Sequence, residues 1–166
     1  MKRTSFLAGL LLTGLAACST TGTVTPLAGS TGAPVPAVTT WSVAVRGCEA
    51  PARCEELRSA VASRLVGAGL AERVVVPGQR ADMNLDVQVT TLRAVPGAVR
   101  VMFGAFAGRN SVAATGTVQD LRGRTPVTLR SFRIESGSAS HPFSGESGVA
   151  DAYRRFAEDV VGALRT

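Results

Sequence analysis

Met83, Leu85, Val87 and Val89 alternate with Asn84, Asp86, Gln88 and Thr90, a period of two that predicts a strand with one apolar and one wet face. Trp41, Val43 and Val45 alternate in the same way within Trp41-Ser-Val-Ala-Val-Arg46, the natural first strand of a folded domain. The period then changes. Leu57, Val61 and Leu65 recur at helical spacing behind Pro51 at a first-turn position, with Glu55 and Glu56 near the positive helix end. Gly67 and Gly69 close that helix, and Arg73-Val-Val-Val-Pro77, short and β-branched, predicts a second strand. The connection between these two strands is long enough for a right-handed parallel crossover. Beyond Thr90, a Pro96-Gly97 turn leads to a strand over Val99 to Phe103 and then to a glycine-rich step. A strand of small and β-branched residues follows from Ser111 to Asp120, and an Asp120-Leu-Arg-Gly123 turn returns the chain into Val127 to Glu135. Residues 83 to 135 therefore predict an antiparallel meander. From Gly148 to Arg165, Val149, Tyr153, Phe156, Val160 and Leu164 share one helical face, with Asp151 near its start and Arg165 at its end. The expected fold is α+β, a two-layer sandwich in which a mostly antiparallel sheet of five to six strands carries two helices on one face.

The first forty residues follow neither period. Lys2 and Arg3 precede an apolar stretch, Phe6 to Leu12 and Leu15, that ends in small residues, the three parts of an export signal. Thr13 and Gly14 interrupt the stretch, and it falls short of the ~20 apolar residues that span a bilayer. Leu15-Ala16-Ala17-Cys18 resembles the lipobox of bacterial lipoproteins. That resemblance implies a cut before Cys18 and a mature chain that begins with a thioether-linked diacylglycerol there, several acyl chains together giving a stable anchor. The alternative is an ordinary A-x-A cleavage site beside an incidental Cys. Ser19, in place of an Asp, resembles outer-membrane sorting, so the expected location is the outer membrane, facing the periplasm. Residues 1–17 are then a leader, and 18–40 are the lipidated Cys18 and a charge-free tether. Residues 41–166 form one domain, large enough to bury an ordinary core. As a free coil the tether has an end-to-end distance of roughly 25 Å and a stretched limit of roughly 75 Å.

Loss of the leader removes Lys2 and Arg3 and leaves 16 Arg against 12 acidic residues, a net charge of +4. The Arg residues are scattered and aromatic side chains are scarce, which excludes a nucleic-acid partner. A diffuse positive balance suits weak attraction to anionic head groups.

Cys48 and Cys54 lie in Cys48-Glu-Ala-Pro-Ala-Arg-Cys54. In an oxidising compartment the pair is most simply a disulfide, worth roughly 2 kcal/mol by loop closure, that pins a strand end to a helix start. Two free buried thiols are the alternative. No Cys-x-x-Cys spacing occurs and His141 is the sole histidine, so no metal site and no cofactor are expected.

Candidate catalytic residues do not assemble into a set. His141 precedes Pro142 in a Ser/Gly-rich loop and reads as a loop histidine without a base role. Ser147 in Gly145-Glu-Ser-Gly148 lacks the glycine two places on that a nucleophile elbow requires, and reads as cap region. Asp82, Asn84 and Asp86 share a strand face that could hold a cation or trade protons, but their alternation with Met83, Leu85 and Val87 reads as a solvated outer face. The chain is therefore expected not to be an enzyme.

Met102-Phe-Gly-Ala-Phe-Ala-Gly-Arg-Asn110 has a G-x-x-x-G spacing at Gly104 and Gly108, in an apolar run about half a membrane span long. It lacks the Lys-Ser or Lys-Thr of a phosphate-binding loop. Two readings stand: a bend that puts Phe103 and Phe106 in the core, or an exposed tip of Met102, Phe103 and Phe106 flanked by Arg100 and Arg109, a candidate contact for a partner or lipid.

The order of these features resembles an uncharacterised family of bacterial envelope lipoproteins, known only as a domain of unknown function. The likeness runs from Trp41 to Arg165 through the strand after Ala81-Asp82, the Gly104 to Gly108 step, the strand ending at Asp120, a Gly/Ser loop and the terminal amphipathic helix. The family's Asp-x-x-Gly hairpin is present as Asp120 and Gly123, while the Cys48 and Cys54 pair has no place in its pattern. The resemblance implies an envelope location and a non-enzymatic role, and supplies no catalytic residue. The leading expectation is a non-catalytic protein, held on the membrane by its N-terminal lipid, that binds or assembles envelope components. An accessory lipoprotein of an envelope lipid or solute transport system is the runner-up, and a hydrolase comes last. A rigid exposed apolar edge at Met102 to Phe106 would favour a protein partner, and an enclosed apolar cavity between helices and sheet a lipid carrier.

Overall fold

Parallel and antiparallel pairing meet in one six-stranded sheet of the computed structural model, which describes residues 22–29, 33–36, 38–93, 95, 102, 110–138 and 146–165. The elements are β1 (Thr23–Pro26), β2 (Val38–Arg46), α1 (Pro51–Gly67), β3 (Ala71–Val75), β4 (Met83–Arg93), β5 (Asn110–Asp120), β6 (Val127–Ser138) and α2 (Glu146–Arg165). Across the sheet the order is β1-β6-β5-β4-β2-β3. β4, β5 and β6 form the expected antiparallel meander. β2 lies between β3 and β4 and is parallel to both, so a parallel corner completes the mixed sheet. Both helices pack on one face of this α+β sandwich, α1 against β2 and β3, α2 against β5 and β6, and each against the other.

Alternation along the strands sends one side of each toward the helices. Trp41, Val43, Met83, Leu85, Val112, Val118 and Ile134 are buried there, facing Leu57, Val61 and Leu65 of α1 and Phe156, Val160 and Leu164 of α2. Trp41, fully buried, satisfies its indole by donating Nε1–H to the Leu70 carbonyl at 2.8 Å. Two arginines tie down carbonyls at helix C-termini. Arg130 Nη1 donates to Ala163 O of α2 at 3.1 Å, and Arg165 Nη2 donates to Ala68 O, just past α1, at 2.7 Å.

Three boundaries differ from the sequence reading. The tether expected over 18–40 is partly structured: Thr23–Pro26 forms an edge strand antiparallel to β6, with Thr23 opposite Glu135 and Pro26 opposite Phe132, and Leu27 N donates to Ser131 O at 2.8 Å. Every position of β1 is exposed, so no apolar alternation marks it, and Pro26 is tolerated because the strand is at an edge. Ala33 and Val35 pack against the core, and β2 begins at Val38 rather than Trp41. Next, β3 runs over Ala71–Val75 instead of Arg73 to Pro77. Its start is set by a helix stop at Gly69 (φ 71°), where Gly69 N donates to Val66 O and Leu70 N to Leu65 O, both at 3.0 Å. Its end is set by Val76-Pro77-Gly78-Gln79, a turn with proline second, Gly78 at φ 92° third, and Gln79 N donating to Val76 O at 3.2 Å. Finally, Met102, inside the strand expected over 99–103, is helical.

Candidate functional site

Register places several chemistry-bearing groups at one pole of the sandwich. A line across the sheet runs Thr23, Glu135, Ala113, Thr91, near the start of β1 and β5 and the end of β4 and β6. β2 ends at this pole as well, and α1 begins there. Between β2 and α1, Cys48 and Cys54 form the expected disulfide, with Cα atoms 5.6 Å apart, which fastens the loop to the first turn of α1. Gly47 makes the loop possible. Its φ is 86°, and a Cβ there would lie 2.3 Å from both Val89 O and Gln88 Nε2, so only glycine fits against β4. α1 has no side-chain cap at Ala50 and relies on Pro51 in its first turn.

The first half of α1 and the start of α2 line an open groove of about 1090 Å³. Ala52, Ala60, Val149 and Ala150 line its apolar floor and wall, and Glu55, Glu56 and Arg53 are its charged groups. Arg53 Nη1 donates to Tyr153 Oη at 3.2 Å, a link across the groove between residues a hundred positions apart. Tyr153 and nearby Glu56 and Glu49 raise the Arg53 pKa further, so the guanidinium is a permanent cation. Glu55, on the rim, is paired with Arg58, which holds its carboxyl below the usual range. A groove with small apolar walls and charged rims suits a protruding side chain or a short segment of a partner. It is open to solvent, not the enclosed apolar cavity that a lipid carrier would present.

The polar side chains of Asp82, just before β4, and of Asn84 and Asp86 within it have structural partners. Thr40 N donates to Asp82 Oδ2 at 3.2 Å and Asp82 N to Thr40 O at 2.9 Å, while Leu121 N donates to Asp82 O at 2.8 Å. Asp86 pairs with Arg46 at 3.2 Å, and Asn84 Nδ2 donates to Gln119 Oε1 at 3.4 Å. These residues lie on the sheet face away from the helices, as their alternation requires. Among the described residues no three of His, Cys, Asp and Glu form a metal cluster. Ser147 lies in the first turn of α2, and His141 falls outside the described residues. At the opposite pole, Asp120 locks the β5–β6 turn. Arg122 donates to it from the backbone N at 2.9 Å and from Nη2 at 2.6 Å, and these bonds pull its pKa down to about 2.

Of the expected tip, Met102 is 77% exposed; Phe103, Phe106 and Arg109 lie outside the described residues, as does Cys18. Two close contacts gave no sequence signal. The Arg53–Tyr153 bond is one. The other is Gly22, where an added Cβ would lie 2.3 Å from Asp159 Oδ2. Asp159 is half-buried, which pushes its pKa up, opposed by a hydrogen bond with Ser136.

No protein-family model and no curated protein matches the sequence. Solved structures do. The chain is similar to PelC dodecamers from Paraburkholderia phytofirmans in two crystal forms, at 19% identity over 88% of this chain, with TM-scores of 0.57 and 0.56 and 98% and 99% of the PelC chain covered. These likenesses establish the fold. A protein of the DUF330 family from Xanthomonas campestris is similar at 13% identity over 88% of this chain and 90% of its own, with a TM-score of 0.47.

Proposed function

We propose that the chain is a non-catalytic, lipid-anchored envelope protein, held at Cys18 on the periplasmic side of the outer membrane, that works by assembling with copies of itself and with other envelope components. The observation that carries this reading is the likeness, over 98% of that chain, to a subunit of a dodecamer. Two features of the fold support it. Among the described residues β1 and β3 are at opposite edges of the sheet, where a neighbouring copy could add a strand. The groove between α1 and α2 supplies a separate concave seat for a partner of different sequence, which is where an accessory role in envelope transport would act. The lipid reading rests on Leu15-Ala16-Ala17-Cys18 and on the uncharged residues that follow.

Crosslinking in intact cells tests the assembly. A short crosslinker should trap a ladder of multiples of the chain, and a product confined to the monomer contradicts self-assembly. Fractionation tests the anchor: Cys18→Ala should release the protein from membranes, and retention would contradict lipid attachment at that residue.

A further inference from the structure

We infer that the pole carrying Gly22, the end of β4 and Met102 faces the membrane surface, and that β1 fixes this orientation by shortening the tether. The inference rests on the lipid at Cys18. Gly22 is four positions beyond Cys18, a reach of at most ~14 Å, against roughly 75 Å for an undocked segment up to residue 40. Docking of β1 on β6 therefore removes most of the freedom the tether would otherwise have.

The direction in which the chain leaves is also set. Thr23 is level with Glu135, Ala113 and Thr91, so Gly22, four positions after Cys18, lies at the pole where β4 ends and β5 begins. Gly22 also lies against the Asp159 carboxylate of α2, where an added Cβ would be 2.3 Å from Oδ2. At this pole Met102, in the connection from β4 to β5, is the most exposed of the large apolar side chains described. A single unbranched apolar side chain on a connection that leaves and re-enters the sheet at this pole is placed to enter the interfacial layer. Arg46 and Arg93 share the pole with Glu49, Glu55 and Glu56. Arg53 and Arg58 of α1 lie beside these carboxylates, and the contact with the membrane comes from tether length and Met102. The Asp120 to Val127 turn lies at the far end of β5, an 11-residue strand, and is held ~36 Å further out.

The test uses full-length lipidated protein in phosphatidylethanolamine and phosphatidylglycerol vesicles, with a fluorophore on Met102→Cys or, separately, on Thr125→Cys, and a quencher carried on lipid head groups. Position 102 should be quenched several-fold more than position 125. Equal quenching of vesicle-bound protein, or the reverse order, overturns the orientation while leaving the anchor intact. Insertion of ten Gly/Ser residues between Thr20 and Thr21 should lower quenching at 102 toward that at 125; an unchanged difference overturns the role of β1. Failure of the lipidated protein to float with vesicles overturns the anchor and this orientation together.

Discussion

Gly116 sits opposite Phe132 on the inner face of the β5–β6 pair, and the ring of Phe132 occupies the space a side chain would take. A Cβ at position 116 would lie 2.4 Å and 2.5 Å from Phe132 Cε2 and Cζ, where ordinary contact begins at 3.4 Å, so Gly116→Ala must drive the ring back by about 1 Å. There is nowhere easy for it to go. Phe132 is 3% exposed and belongs to the same buried cluster as Phe156 and Val160 of α2. Overpacking of this kind costs about 1–3 kcal/mol, while replacing a strand glycine recovers about 0.5–1 kcal/mol of backbone entropy. The net expectation is a loss of about 1–2 kcal/mol. Urea denaturation of the unlipidated protein should show a midpoint lower by about 1 M with an unchanged slope. Phe132→Leu, which removes the obstructing ring atoms, should cost stability alone but combine with Gly116→Ala to give a double variant at least ~1 kcal/mol more stable than the sum of the two losses. A midpoint that stays level or rises for Gly116→Ala, or simple additivity in the double variant, would refute the close approach of ring and glycine.

Reduction of the Cys48–Cys54 bridge, or Cys54→Ser, should lower stability by about 2 kcal/mol, and thiol labelling of purified protein should require reductant. Labelling without it would count against the bridge. Gly47→Ala should cost more than Gly78→Ala, since both have positive φ but a Cβ at 47 also meets the Val89 carbonyl while one at 78 meets nothing; equal losses in thermal melts would sink that distinction. Asp120 has a depressed folded pKa, so its stabilisation is present above the ordinary value of 3.8 and is lost as pH falls toward about 2. The advantage of the wild type over Asp120→Asn should shrink across that window. A difference constant with pH would show that the Asp120–Arg122 bonds do not hold the turn.

The elements legible in the sequence are those with one wet and one buried side. β4 and the two helices bury Met83, Leu85, Val87, Leu57, Val61, Phe156 and Val160 at their proper periods, and alternation marked them. β1 was not legible because an edge strand exposed at all four positions carries no burial pattern. Val76 looked like strand because it is β-branched, yet the Pro77-Gly78 dipeptide behind it makes a turn, and turn chemistry outranked propensity. The position of β2 between two parallel neighbours follows from long-range pairing that no local pattern encodes. At the candidate site the disulfide was readable from spacing and compartment, whereas the Arg53–Tyr153 bond and the seat of Gly22 on Asp159 join residues far apart in the chain.

Native mass spectrometry of the protein extracted from membranes in mild detergent tests the central claim most directly, because one spectrum reads both the N-terminus and the copy number. The account predicts chains that begin at Cys18 with covalent acyl groups, gathered in a defined multimer. An unacylated chain that flies as a monomer would contradict it.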